Sequence, residues 1–177
     1  MPTGKKAPRD PYTTALRMLA RRPYSVAELR RALERRFGPD TAIPEAIARL
    51  RELGYLDDKR FAEHYASSLA RNRAFGRYRI RRELKAKLVN YKFIEPAIEQ
   101  AFEETDEARL LEQALAKRIR TLRRPVTRAR LASLCQSLLR QGFRSGDIMN
   151  AVRARPELRP VPDGVDLVEL EDESAKD

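Results

Sequence analysis

Clusters of arginine and lysine are the side chains of this chain with the clearest chemistry. Six bases occupy eleven residues around Tyr78, six more occupy thirteen residues that end at Arg130, and further arginines lie on the predicted outer face of an earlier helix. Bases grouped on helices are typical of phosphate binding, although a solvated face balanced by nearby acids is the simpler alternative. Within the first cluster, Glu83 is the single acid. The predicted basic surface consists of Arg30, Arg31, Arg35, Arg77, Arg79, Arg81, Arg82, Lys85, Lys87, Arg120, Arg123, Arg124, Arg128 and Arg130.

Groups for nucleophilic or metal-assisted catalysis are scarce. The chain has one histidine, His64, one cysteine, Cys135, and no tryptophan. A zinc site built from cysteine and histidine needs about four ligands, and a serine or cysteine nucleophile would depend on His64 alone. No glycine-rich phosphate-binding motif occurs among the seven glycines. We predict a protein that is not an enzyme and that holds no metal and no cofactor; carboxylate-only catalysis is the alternative that counting leaves open.

Several polar and aromatic positions receive a structural interpretation. We expect His64 to be an ordinary half-buried side chain and Cys135 to belong to the core. Asp57 and Asp58 could bind a metal as paired carboxylates, but their place just before a predicted helix favours capping. Aromatic residues near helix ends could stack on bases, although packing is their commoner role. These aromatic residues are Tyr12, Tyr24, Tyr55, Phe75 and Tyr78.

The positive charge is concentrated ahead of residue 163. The whole chain carries 37 bases and 26 acids, a net charge of +11. Residues 163–177 hold seven acids and one base, so residues 1–162 carry +17. A body of this charge favours anionic partners, and the acidic end could compete with them or only aid solubility. The lack of a long apolar stretch or an apolar leader and the lone cysteine lead us to expect a cytoplasmic protein without a membrane partner.

The periodic segments of the chain predict helices. Apolar residues recur at spacings of three and four, and polar residues stand where a helix would begin. The predicted caps are Asp10 ahead of Pro11, Ser25 with Glu28 as a capping box, Asp57–Asp58, Thr127 and Ser145. The glycines predicted to end helices are Gly38, Gly54 and Gly142.

The helices repeat in groups of three. Leu84, Leu88, Ile98 and Phe102 each have an apolar counterpart fifty positions later. A repeat of about 50 residues is typical of stacked modules that bury their cores against one another. We predict an all-α fold of tandem three-helix modules in an elongated, curved right-to-left stack. The predicted divisions are a disordered basic N-terminus at 1–10, modules at 11–56, 57–104 and 105–155, and a flexible acidic tail at 156–177.

Two segments of the chain contain motifs with a distinctive spacing. Gly54–Ala62 has the pattern G-x-L-D-D-x-x-F-A, and Gly76–Leu84 has the pattern G-x-x-x-I-x-x-E-L. Both resemble the motifs of a known family, the RecX regulators of the RecA recombinase. The motif residues, to which we assign a structural role, are Leu56, Asp57, Asp58, Phe61, Ala62, Gly76, Ile80, Glu83 and Leu84. The resemblance covers about residues 11–153 and departs at 87–90, where the family usually has Lys-Gly. Asn90 in that segment can also adopt the left-handed conformation that glycine would provide.

The resemblance implies a role in recombination. RecX proteins bind RecA, lie in the groove of its filament on single-stranded DNA, and mainly impede filament growth, ATP hydrolysis and strand exchange; some bind DNA themselves. We therefore expect a monomeric regulator of DNA repair, homologous recombination and the SOS response, with the RecA filament and single-stranded or double-stranded DNA as partners. One alternative is an autonomous transcriptional regulator, because Ser25–Leu53 and Gly76–Phe102 form predicted helix-turn-helix pairs. Another is a helical scaffold for a different protein.

Overall fold

The structure is a computed structural model in which residues 10–39 and 42–161 are described. Over these ranges the chain forms nine α-helices and one 3₁₀-helix and contains no strand, which confirms the all-α prediction. The α-helices are α1 (Pro11–Leu19), α2 (Val26–Phe37), α3 (Ala42–Glu52), α4 (Asp58–Arg73), α5 (Arg77–Ala86), α6 (Tyr91–Glu103), α7 (Glu107–Thr121), α8 (Arg128–Gln141) and α9 (Ser145–Arg153). The 3₁₀-helix is Pro156–Leu158. The basic N-terminus up to residue 9 and the acidic residues from 163 onward lie outside the described residues.

The described residues form two compact units. Unit 1 is drawn from Met1–Arg73 and Ile80–Thr105, and unit 2 is drawn from Ala74–Arg79 and Asp106–Asp177. Helix α5 therefore contributes its first three residues to unit 2 and the remainder to unit 1. The predicted boundaries of three modules and their curved arrangement stay a prediction.

Unit 1 is built on two sets of packed helices. Helices α1, α2 and α3 surround a core of Ala15, Leu29, Leu33, Ile43, Ile47, Leu50 and Leu56. Helix α4 packs along α6. Alanines spaced four residues apart line both of these helices and are buried, which allows a close approach of the two backbones. These alanines are Ala62, Ala66 and Ala70 on α4 and Ala97 and Ala101 on α6.

Unit 2 has its own apolar core, which extends past the last α-helix. Its buried members are Leu111, Ala114, Leu115, Leu134, Leu138, Phe143, Ile148, Val152 and Leu158. Cys135 packs against this core and is half-buried. Leu158, on the 3₁₀-helix, is 1% exposed. The sequence places residue 156 in a flexible tail, whereas burial of Leu158 joins 156–158 to the folded body.

Most helix ends follow the predicted capping chemistry. Asp10 accepts a hydrogen bond from the Thr13 amide at 2.6 Å, and Ser25 Oγ accepts one from the Glu28 amide at 3.1 Å. Thr127 caps α8 in the same way. Each satisfies an amide that the first helical turn leaves without a backbone partner.

Two predicted helix ends are wrong. Ser145 is the first residue of α9 rather than its cap, and Arg144 at the cap position makes no side-chain capping hydrogen bond. Asn90 has φ −60° and caps α6 through the amide of Lys92 at 3.2 Å. The left-handed residue is instead Leu88, with φ +56°. The turn therefore occurs at the position after Lys87, where the family pattern has glycine.

A pair of glycines brings two backbones of unit 2 into contact. The Gly76 amide donates to the Gln141 carbonyl at 2.9 Å, and the Tyr78 amide donates to the Gly142 carbonyl at 3.2 Å. A Cβ added to Gly76 would lie 2.4 Å from the Gly142 carbonyl oxygen. Gly76 thus permits an approach that no other residue would allow, and Gly142, at φ +98°, ends α8 as predicted.

Candidate nucleic-acid interface

The two adjacent aspartates of the motif begin two different helices. Asp57 Oδ1 accepts from the amides of Lys59 at 2.8 Å and Arg60 at 3.1 Å, at the start of α4. Asp58 Oδ1 accepts from the Val26 amide at 2.8 Å, at the start of α2. Capping is therefore the role of both carboxylates. Over the described ranges, no group of three or more acidic, histidine or cysteine side chains is arranged to hold a metal ion.

Ser25, which is fully buried, joins α2 to the end of α5. Its hydroxyl donates to the Lys87 carbonyl at 2.5 Å. The neighbouring Glu28 carboxylate accepts from Arg22 at 3.0 and 3.1 Å and from Lys87 Nζ at 3.2 Å. Burial alone would raise the pKa of Glu28, but the hydrogen bonds from Arg22 and Lys87 outweigh it and hold that pKa below its ordinary value. Lys87 therefore forms an ion pair with Glu28 of its own chain.

Within the middle basic cluster, some bases are paired and others face solvent. Arg77 Nε lies 3.0 Å from Glu107 Oε2, and Arg81 donates to both oxygens of Glu95, at 2.5 and 2.7 Å. The half-buried Arg79 guanidinium lies over the Phe75 ring, 5.3 Å from its centre. Arg82 and Lys85 are exposed. Sequence reasoning counted only the acid inside the cluster, whereas the partners come from other helices.

The first and third clusters are mostly exposed. The exposed members are Arg30, Arg31 and Arg35 on α2, Arg120 on α7, Arg123 and Arg124 in the connection after it, and Arg128 on α8. Arg124 donates to the Glu157 carbonyl, and Arg130 is half-buried and donates to the Pro125 carbonyl at 2.6 Å. Arg118 donates to Ser137 Oγ at 2.6 Å, and its burial lowers its pKa.

Unit 1 contains a basic groove, and Arg30 is the one base of this groove that the sequence prediction included. The groove has a volume of about 790 Å³ and is lined by Arg30, Arg51, Arg60 and Lys92, among others. These four bases come from four helices, so no single sequence window would have grouped them. The acids lining the groove are Glu52, Asp57 and Asp58.

A second cavity of unit 1, the aromatic cleft, has a volume of about 500 Å³. Its lining includes Tyr24, Tyr55, Phe61, His64 and Tyr65. His64 is exposed, so the expectation of a half-buried side chain is wrong. Tyr24 and Tyr55 were singled out from the sequence as candidate base-stacking residues, and the structure places both in this cleft.

The other three aromatic candidates lie outside the cleft. Tyr12 is half-buried against the unit 1 core, with the Arg49 guanidinium 4.8 Å from the centre of its ring. Phe75 is half-buried and Tyr78 is exposed, both in unit 2. The packing interpretation thus suits Tyr12.

Over the described residues, fold and geometry together define an all-helical protein with three-helix groups and exposed basic side chains. Neither described stretch, 10–39 or 42–161, has a helix with the length and apolar character needed to cross a membrane. Comparison with family models agrees: one described as "RecX, first three-helix domain" matches residues 12–50, and one described as "RecX, second three-helix domain" matches residues 57–98.

Relatives match over nearly the full chain. The Regulatory protein RecX of Thermobifida fusca is 32% identical over 164 residues, which covers 90% of this chain and 88% of the relative. That of Streptomyces coelicolor is 31% identical over 170 residues, covering 94% and 88%. The chain belongs to the RecX family of regulatory proteins.

Solved structures share the fold. A "Crystal structure of regulatory protein RecX" has a TM-score of 0.67 at 23% identity, covering 79% of this chain and 70% of that one. The crystal structure of RecX from Lactobacillus salivarius has a TM-score of 0.63 at 24% identity, covering 81% and 93%. The tandem helical architecture is therefore found in experimental structures.

Proposed function

We propose that this protein regulates the RecA recombinase by binding the filament that RecA forms on single-stranded DNA. By occupying the filament it inhibits filament growth, ATP hydrolysis and strand exchange, and so regulates DNA repair and recombination. The observation that carries this proposal is the set of exposed bases on each unit: Arg30, Arg31, Arg35, Arg82 and Lys85 in unit 1, and Arg120 and Arg123 in unit 2. Membership of the RecX family supports RecA as the partner.

The proposed surface contains fewer residues than the basic surface predicted from the sequence. Arg77, Arg81 and Lys87 pair with carboxylates of their own chain and stabilise it, so they contribute less to binding. A phosphate or an acidic side chain that binds exposed bases such as Arg82 and Lys85 displaces their water. Release of counterions from bound phosphates makes such binding strongly salt-dependent.

Inhibition by occupancy requires no catalytic group on this chain. A ligand shifts a two-state equilibrium only through its different affinity for the two states. Binding preferentially to one state of the filament would therefore be sufficient to slow its growth and its ATP turnover. The helices bury their apolar residues in the core and leave bases on the surface, so the bases that bind the filament are held by a stable fold.

The decisive experiment is a titration of this protein into RecA of the same organism, with DNA-dependent ATP hydrolysis as the readout. We expect inhibition at fewer than one molecule per RecA protomer, weakening as salt is raised. No inhibition at equimolar protein would contradict the proposal. Sequence-specific binding to duplex DNA without RecA, surviving competitor DNA, would instead support the transcriptional-regulator alternative.

A further inference from the structure

The basic groove and the aromatic cleft of unit 1 adjoin each other. Gly54, Asp57 and Arg60 line both cavities. Arg60 is exposed on the first turn of α4, so its guanidinium is available at the junction. Arg60 therefore lies at the boundary of the two cavities, within reach of a ligand in either one.

The groove has the charge of a phosphate site. Of its three acids, Asp57 and Asp58 already accept backbone amides at the starts of α4 and α2. Glu52 is the third acid, and the bases are Arg30, Arg51, Arg60 and Lys92. Four bases against three acids leave an excess of one positive charge, which favours an anionic polymer along the groove.

The cleft has the side chains of a base-stacking site. Phe61 and Tyr65 stack on each other with ring centres 5.5 Å apart. Arg22 lies 3.5 Å from the centre of the Tyr24 ring, and Tyr55 is 59% exposed although it is a large aromatic residue. A cavity of about 500 Å³ lies within the range of ordinary small-ligand sites, which is about 300–1,000 Å³.

We propose that groove and cleft together bind single-stranded nucleic acid, with phosphates in the groove and one or two unstacked bases in the cleft. A duplex would leave the cleft empty, because its bases are stacked and paired within the helix. Single strands expose base faces to aromatic side chains while their backbone follows a positively charged groove. The site deepens the proposed function, on which it rests for single-stranded DNA as the natural ligand.

The direct test is fluorescence anisotropy with a labelled oligothymidylate and no other protein present. We compare it with an abasic oligonucleotide of equal length and with a duplex. The wild-type chain is expected to bind oligothymidylate more tightly than the abasic strand. Equal affinity for the oligothymidylate and the abasic strand, or no binding at all, would overturn the proposal.

Variants locate the site. Tyr55→Ala and Arg60→Ala are each expected to weaken oligothymidylate binding by between about 5-fold and about 100-fold, the range expected when one stacking or charged interaction is removed. Arg60→Ala should also flatten the salt dependence, whereas Tyr55→Ala should not. The matched control is Tyr91→Ala, because Tyr91 is 84% exposed and lines neither cavity. Unchanged affinity in both cleft variants would overturn the site.

Substitutions of one side chain distinguish a base from an apolar protein side chain as the occupant. Tyr55→Phe keeps the flat ring and should retain oligothymidylate binding, whereas Tyr55→Leu keeps apolar bulk without the ring and should lose it. If the cleft instead held a side chain of RecA, Tyr55→Ala would relieve inhibition of RecA without changing DNA affinity. That result would overturn the inference and leave the proposed function intact.

Photo-crosslinking of the wild-type chain avoids any question of folding. An oligonucleotide carrying 5-iododeoxyuridine is irradiated with the protein, and the crosslinked peptide is identified by mass spectrometry. We expect crosslinks within 54–65. Crosslinks confined to unit 2 would refute the site, and RecA inhibition measured in parallel would show whether the proposed function survives.

Discussion

Asp58 caps a helix that begins 32 residues before it: its Oδ1 accepts the Val26 amide at 2.8 Å. The contact is partly buried and ties the start of α4 to the start of α2. We expect Asp58→Ala to lower the free energy of unfolding by about 1–2 kcal/mol, because α2 loses a cap and an amide loses its partner. Asp58→Asn, which keeps a carbonyl oxygen, should lose less. Urea denaturation measures both, and equal stability of the wild type and the alanine variant would disprove the role.

Gly142 is required where α8 ends against the start of α5. A Cβ there would lie 2.3 Å from the Arg79 amide nitrogen, and φ is +98°. Gly142→Ala should therefore destabilise the protein by about 1–3 kcal/mol or more. The matched control is Gly146→Ala, since its added Cβ has no atom within 4 Å apart from its chain neighbours and the backbone of its own helix. That change should be neutral or stabilising by up to about 1 kcal/mol, and the two thermal midpoints should separate accordingly.

Leu88 holds a left-handed conformation that leucine adopts at a cost. Its φ is +56°, and the strain for a residue with a Cβ is about 1–2 kcal/mol. Leu88→Gly should raise stability by up to about 1 kcal/mol, after the extra backbone entropy of glycine is counted. Leu53→Gly is the comparison, because Leu53 is exposed and its φ is not positive. A loss of stability in Leu88→Gly as large as in Leu53→Gly would contradict the strain.

The ion pairs of Glu28 predict a pH dependence. Because hydrogen bonds from Arg22 and Lys87 hold the pKa of Glu28 below its ordinary value, the folded state binds its proton less tightly than the unfolded state does. The stabilisation is present above the ordinary glutamate pKa of about 4.3 and is lost as the pH falls through the lowered pKa. Glu28→Gln should be less stable at neutral pH and lose less on acidification. Denaturation at several pH values gives the free energy of unfolding of each protein. An equal loss of that free energy in both proteins between neutral and acid pH would contradict the prediction.

Arg82 and Lys85 test the proposed basic surface, because both are exposed on α5. The double variant Arg82→Ala/Lys85→Ala should weaken filament or DNA binding and reduce the slope of log affinity against log salt by about 0.7 for each phosphate that is no longer neutralised. Its thermal midpoint should stay near that of the wild type, since the buried face of α5 is unchanged. The control Arg144→Ala/Arg153→Ala removes the same charge from exposed sites on or next to α9. Equal slopes in both double variants would refute the assignment.

Local sequence determined the helices and most of their ends. The caps at Asp10 and Thr127 depend on amides three residues away, so a short window contains the whole interaction. The buried stripes are equally local, because helical spacing fixes which side chains share a face. The two errors concern single positions between helices: the left-handed residue is Leu88 rather than Asn90, and the cap position of α9 is Arg144 rather than Ser145.

Only the tertiary structure decided which bases face solvent and what lies beside them. Arg81 meets Glu95 and Arg77 meets Glu107, so charges counted for binding serve the fold instead. Asp58 caps a helix earlier in the chain, and Tyr24 and Tyr55 share a cleft with His64, which was expected to be half-buried. Long side chains find partners through space, and the positions of those partners depend on how helices pack, which the spacing of residues along one helix does not contain.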